Sequence, residues 1–165
     1  MNNDGIKNAF EAKYQLYGDM LYKIAFVYLG NHHDAEDALQ EVFIKLLYGS
    51  PSFKDVEHEK AWLIRVTQNK CLDMLRSSAK KNVSAGDITL ADGARTDSDT
   101  RLDVIKQVAA LPAKYKTAVL LYYYYGHSVN EISRTLKISS SAVKQRLKRA
   151  REVLKIELED YSYEA

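Results

Sequence analysis

The last quarter of the chain, "HSVNEISRTLKISSSAVKQRLKRAREVLK", constrains the fold more than any other stretch. A short apolar-periodic segment, a polar turn and a long basic segment follow one another there without a gap. In the first segment Val129, Ile132 and Leu136 recur at helical steps and form one apolar stripe. Ser128 is placed to cap it, with Glu131 where a capping box requires an acid. In the second segment Val143, Leu147, Ala150, Leu154 and Leu158 fall within a narrow arc when each residue advances about 100°. Ser139, Ser140 or Ser141 supplies its cap. Between them Ile138 is the single apolar residue able to plug the angle of so tight a turn, and the order predicts a helix-turn-helix.

Charge separates this pair from an ordinary helical hairpin. From Lys137 to Lys155 the stretch is net +6, with Glu152 its one acid, whereas the whole chain is +2 and the remainder therefore −4. The spacing places Lys144, Lys148, Arg149, Arg151 and Lys155 opposite the apolar stripe. One face of the second helix is left for a core and the other for phosphates or base edges.

Composition excludes several function classes. With 46% apolar and 28% charged residues the chain is that of a folded protein, long enough for one domain or two small ones. Its apolar runs fall short of a membrane span and "MNNDGIKN" has no signal-peptide core, which places it in the cytoplasm. Cys71 is the only cysteine, so an internal disulfide and a cysteine-based zinc site are excluded, and it reads as a buried thiol within a helix. His32 and His33 are adjacent and do not share a helix face, and Asp34, Glu36 and Asp37 read as acids favoured at a helix start, so no metal is expected. No nucleotide fingerprint or converging catalytic set appears, so neither cofactor nor enzyme activity is expected.

The N-terminal portion reads as helices. Phe10, Tyr14, Tyr17, Leu21, Ile24 and Tyr28 form a stripe that stops at Gly30. Asn31 begins a second helix with Ala35, Ala38, Leu39, Val42, Phe43 and Leu46 inward and Asp34, Asp37, Glu41 and Lys45 outward. Gly49 and Pro51 end it in a loop of about ten residues. A third helix is expected from about Lys60 to Lys80. Trp62, Leu63, Val66, Cys71, Leu72 and Leu75 are available for its core, and Arg65, Asn69, Lys70, Arg76, Lys80 and Lys81 for a nucleic acid.

From Asn82 to about Thr100 periodicity gives way to a Gly-, Ser-, Thr- and Asp-rich linker. The expected organisation is all-α, with helical domains at 1–81 and 101–165 joined by a flexible linker at 82–100. Leu111 and Pro112 mark a helix start in the second domain. "KYKTAVLLYYYYG" suits either a helix or a strand by composition, and its neighbours favour the helix. Its tyrosines read as core and interface filler, with a base-stacking platform as the alternative.

These residues resemble the bacterial RNA polymerase sigma-70 family, in particular its compact extracytoplasmic-function group. "DAEDALQEVFIKL" looks like the family's region 2.2, "AWLIRVTQNKCLDMLRSSAKK" like regions 2.3 to 2.4, "LPAKYKTAVLLYYYYGHSVNEIS" like region 4.1 into 4.2, and "SSSAVKQRLKRAREVLK" like the region 4.2 recognition helix. The resemblance implies that Glu36, Asp37, Gln40, Glu41 and Phe43 contact core polymerase, at the clamp helices of its beta-prime subunit, with the beta subunit a further partner. It implies that the loop from Ser52 to Glu59 captures a base flipped from the −10 element, and that Arg65, Asn69, Lys70, Arg76 and Lys80 hold melted DNA. It assigns the −35 duplex to Ser141, Lys144, Gln145, Arg146, Lys148, Arg149 and Arg151. Lys144 and Gln145 are then candidates for base edges, Arg149, Arg151 and Lys155 for phosphates, and Arg146 for either.

An anti-sigma protein, often membrane-anchored in this family, is the implied inhibitor. Ser133 departs from the alanine usual in "EIA", and Ser140 and Ser141 stand where glycine or threonine is common. The short linker, without the region 3 and N-terminal region 1 of the larger housekeeping members, favours the compact group, and no C-terminal sensory domain is expected after Ala165. The competing expectations are a self-contained helix-turn-helix regulator that binds a palindromic duplex alone, and an inactive member retained as a scaffold.

Overall fold

The computed structural model describes residues 3–49, 52–80 and 99–154, and their regular structure is entirely helical. The chain divides into two compact units, one holding α1 to α3 and the other α4 to α7. Residues 81–98, where most of the expected linker falls, lie outside the described residues, as do Pro51, Lys155 and Leu158. No helix among the described residues is long and apolar enough to cross a membrane.

In the first unit α1 (Asn3–Leu29), α2 (His32–Gly49) and α3 (Val56–Lys80) each pack on the other two. The helical stripes meet as their spacing dictates. Leu21, Ile24 and Val27 from α1, Leu39, Val42 and Phe43 from α2, and Leu63, Ile64 and Cys71 from α3 are removed from solvent. The Phe43 ring sits 5.6 Å from that of Phe10 and 5.4 Å from that of Tyr14, closing one end of the core.

Chain reversal between α1 and α2 depends on Gly30. Its φ of 79° lies in the left-handed region, which lacks a steric cost only for glycine. Asn31 then caps α2, its side-chain oxygen accepting from the Asp34 backbone N–H at 2.8 Å.

The start of α3 differs from expectation. Asp55 accepts from the His58 N–H at 2.8 Å, and this cap begins the helix at Val56 rather than near Lys60. Of the loop assigned to base capture, only residues 52–55 are non-helical. Glu59 is inside, 8% exposed. Lys13 Nζ donates to both of its carboxylate oxygens at 2.7 and 2.8 Å, and the Tyr17 hydroxyl donates to one of them at 2.7 Å. A carboxylate taken out of water needs such partners, and here they join α1 to the first turn of α3. Burial, with the hydrogen bond to Glu59, raises the Tyr17 hydroxyl well above its ordinary pKa and keeps it a donor. Glu59 is therefore a fold-holding residue and is withdrawn from the base-capture set.

In the second unit α4 (Asp99–Ala109) begins within two residues of its expected start. α5 (Ala113–Val119) follows Pro112 and continues into a π-helical turn, Leu120–Tyr124. The ambiguous tyrosine-rich run is thus helical, but wide. The Tyr125 N–H donates to the Leu120 carbonyl at 3.2 Å, a bond spanning five residues. Tyr124 is buried and its three tyrosine neighbours are half-buried, as filler should be. Gly126, with φ 69°, ends the turn. α6 (Val129–Leu136) and α7 (Ser140–Leu154) complete the unit. Their Ile132, Val143, Leu147 and Ala150 close a core with Val108, Leu120 and Leu121. Lys116 is itself buried, and its amine donates to the Ala109 carbonyl at 2.9 Å, satisfying the end of α4.

Glu59→Ala removes a buried acceptor from two donors. Urea denaturation should show the first unit destabilised by about 2 kcal/mol. Tyr17→Phe, which removes one donor and leaves the ion pair, should cost about half of that.

Candidate nucleic-acid interface

The helix-turn-helix is built by side chains that satisfy its helix ends. Ser128 Oγ accepts from the Glu131 N–H and the Glu131 carboxylate accepts from the Ser128 N–H, both at 3.1 Å, completing the expected capping box. The Ser128 N–H bond is the leading cause that holds the Glu131 carboxyl below its ordinary range. α6 ends at Lys137, whose φ of 56° is left-handed and costs a non-glycine residue roughly 1 kcal/mol. The turn is fastened by Ser133, whose hydroxyl donates to the Ile138 carbonyl at 2.6 Å. Of the three serines able to cap α7, Ser139 does so, accepting from the Ala142 N–H at 3.0 Å. Ile138 is half-buried in the angle it was expected to fill.

This turn presents α7 with one side free. Ser141, Gln145, Lys148 and Arg149 follow helical spacing along the outer face and are exposed, as is Lys144 beside them. Arg149 lies 3.9 Å from Glu152, a loose pair that leaves its guanidinium accessible.

Two arginines are placed differently. Arg146 is half-buried and donates to the Lys114 carbonyl at 3.3 Å. Arg151 is also half-buried and donates to the Tyr123 hydroxyl at 3.0 Å. The expectation that Arg151 lies opposite the apolar stripe is corrected: it follows Leu147 by one helical turn and so borders the stripe. The hydrogen bonds of Tyr123 and Ser133 are not legible in the sequence, because they depend on partners brought near only by folding.

In the first unit, Asp37, Gln40 and Glu41 are exposed along the outer face of α2, and Glu36 is half-buried. Phe43 is fully buried, so its assignment to a partner surface is corrected. Its position in the inward stripe outweighs its place in the matching motif. Two residues that sequence reasoning missed extend the outer face, Ile44 at 54% and Tyr48 at 70% exposed. Apolar residues exposed one helical turn apart were detectable from the same period that located the core.

On α3, Arg65, Asn69 and Arg76 follow one helical face. Arg65 is half-buried, and desolvation lowers its pKa from the ordinary value, while Asn69 and Arg76 are exposed. Arg76 pairs with Asp73 at 3.0 Å. Lys70 lies further round and is ion-paired with Glu41 of α2. The side chain of Lys80 is outside the described residues. At the start of α3, the Phe53 ring packs 5.4 Å from His58 and 5.6 Å from Trp62, and the Lys54 N–H donates to His58 Nδ1.

The helix start of α2 gathers His33, Asp34 and Asp37, whose potential ligand atoms lie within 4.8 Å of one another. His33 and Asp37, four residues apart, share a helix face, which the adjacent His32 and His33 do not. Asp34 already accepts from the Asn31 amide at 2.9 Å, and His33 lies 3.4 Å from Asp37. Capping and pairing with the helix dipole account for the group.

Ser128→Ala should destabilise the second unit by about 1 kcal/mol. Since the Glu131 pKa is lowered in the folded state, its contribution is present above the ordinary carboxylate pKa and is lost as pH falls through the depressed folded value. Thermal melts from pH 7 to about 3 should show a loss of stability that Glu131→Gln flattens.

Comparison with known proteins places these surfaces in a family. Residues 14–81 match the model of sigma-70 region 2, and residues 101–154 that of sigma-70 region 4. The ECF RNA polymerase sigma factor SigW of Bacillus subtilis is 28% identical, over 94% of this chain and 92% of its own. SigM of the same organism, also an ECF RNA polymerase sigma factor, is 32% identical over 86% of this chain and 90% of its own. Among solved structures, the sigma factor RpoE in complex with the anti-sigma factor NepR, from Bartonella quintana, has a TM-score of 0.72. The match covers 89% of this chain and 94% of that one at 22% identity, a likeness of fold. CnrH, solved with the cytosolic domain of CnrY, has a TM-score of 0.64 at 23% identity.

Proposed function

This chain belongs to the ECF RNA polymerase sigma factor family, of the sigma-70 type, and on that premise we propose that it joins bacterial core RNA polymerase and directs it to promoters. The outer face of α2 docks on the polymerase, α3 holds the opened −10 strand, and α7 reads the −35 duplex. Members of this family are not enzymes, and the work is binding.

The observation that carries this reading is the exposed row of Ser141, Lys144, Gln145, Lys148 and Arg149 on the second helix of a fully capped helix-turn-helix. A major groove accepts a helix presented this way. Lys144 and Gln145, near its start, are suited to base edges, and Lys148 and Arg149 to phosphates. The tethers of Arg146 and Arg151 give those two mainly the task of holding α7 against the rest of the unit.

Asp37, Gln40, Glu41, Ile44 and Tyr48 give α2 an acidic and apolar surface suited to a basic, partly apolar partner such as the clamp helices of beta-prime. The beta subunit is the second polymerase contact. Opening the duplex costs a few kcal/mol for each extruded base, which binding by Arg65, Asn69, Lys70, Arg76 and Lys80 offsets. The rings of Phe53, His58 and Trp62, beside the residues assigned to base capture, supply stacking surface. RpoE, alike in fold, was solved with the anti-sigma factor NepR, which supports an anti-sigma protein as the inhibitor of this chain, covering the polymerase-binding face.

Full-length protein should bind purified core polymerase one-to-one with sub-micromolar affinity without DNA. The paired change Asp37→Ala and Gln40→Ala should weaken that binding about ten-fold. Absence of binding, with tight binding of a palindromic duplex by the protein alone, would replace this reading with a self-contained regulator. With core present, Lys144→Ala should alter preference among −35 sequences by roughly 1–3 kcal/mol. Arg149→Ala should weaken all sequences alike and reduce the logarithmic salt slope by about one.

A further inference from the structure

The ion pair between Glu41 and Lys70 joins two faces that the proposed function gives to different partners. Glu41 stands on the α2 surface assigned to polymerase, and Lys70 is among the α3 cations assigned to the single strand. Lys70 is the less exposed of the two, at 30% of its side chain against 59% for Glu41. The acid thus reaches over from the outer face of α2 and occupies the amine.

We propose that this pair is an electrostatic latch: in the free protein Glu41 occupies Lys70, and docking of α2 on the polymerase releases Lys70 to a DNA phosphate. The inference rests on the reading above, since it requires both partners.

The argument is one of competition for a single charge. An ammonium group held by a carboxylate must exchange that partner for a phosphate, and it binds the strand less well by the strength of the pair. A cation of the polymerase placed against Glu41 weakens the hold on Lys70. A phosphate placed against Lys70 equally leaves Glu41 open to the polymerase. Linkage makes the two effects equal, so polymerase and single strand favour each other's binding by the same factor. Arg76, by contrast, pairs with Asp73 of its own helix, and that contact spans no second surface. The pair is partly exposed to solvent, which sets the expected factor at about two- to five-fold.

The test is a double-mutant cycle on the full-length chain, with a fluorescent single-stranded oligothymidine as probe, at low ionic strength and without polymerase. Glu41→Gln should raise affinity two- to five-fold in the wild-type background and have no effect in the Lys70→Gln background. An equal gain in both backgrounds would mean that Glu41 acts only through general charge, and would overturn the latch. So would a Glu41→Gln variant that gains nothing, including one whose binding stays below detection. If the Glu41→Gln, Lys70→Gln double variant binds as tightly as Glu41→Gln, in which the amine has no pair to break, Lys70 is not a DNA contact. The assignment of that residue to the −10 strand then fails, and the latch with it, while the polymerase-binding assay decides the sigma reading separately.

Discussion

Short amphipathic helices must each bury one stripe, and what is left of the circumference is all they have for partners. In α7 the stripe of Val143, Leu147 and Ala150 is almost wholly removed from water. Burying such side chains contributes on the order of 1–3 kcal/mol each, more than any of the surface ion pairs seen here. Apolar burial therefore decides how a helix is rotated. The positions of Ser141, Gln145, Lys148 and Arg149 on the outside follow from it. The same rule rotates α2 so that Phe43 points inward and Asp37, Gln40 and Glu41 outward.

Helix ends are the second determinant. Asn31, Asp55, Ser128 and Ser139 each give a side-chain acceptor to an otherwise unpaired N–H. They fix where α2, α3, α6 and α7 begin and hence which residues fall at their tips. For α3 this brings Glu59 into a buried bond with Lys13 and Tyr17, which orients the helix that carries Arg65, Asn69 and Arg76. For α7 it sets Ser141 and Lys144 in the first turns, where a recognition helix enters a groove most deeply.

Much of this was legible in the chain. The capping box, the stripes, Gly30 and the basic helix all rest on local spacing, which folding leaves unchanged. What escaped rests on tertiary partners or on conflicting local signals. "DVEHEK" is polar enough to read as loop, and only Asp55 and the acids after it betray a helix start. Phe43 stood both in an inward stripe and in a motif assigned to a surface, and packing energy resolved the conflict. Arg151 borders the stripe by its spacing, yet its bond to Tyr123 could not be anticipated, nor could the contact of Glu41 with Lys70.

The π-helical turn at Leu120–Tyr124 takes in the first three of four consecutive tyrosines. Such a turn holds one residue more than an α-helical turn, and so shifts by one the register of the helix that passes through it. Removing any one of Tyr122, Tyr123, Tyr124 and Tyr125 leaves the same sequence, one residue shorter, with a tyrosine still at each remaining place in the run. With tyrosine at all four places, a one-residue change of register alters which ring meets the core, Tyr124 here, and not the kind of side chain that does.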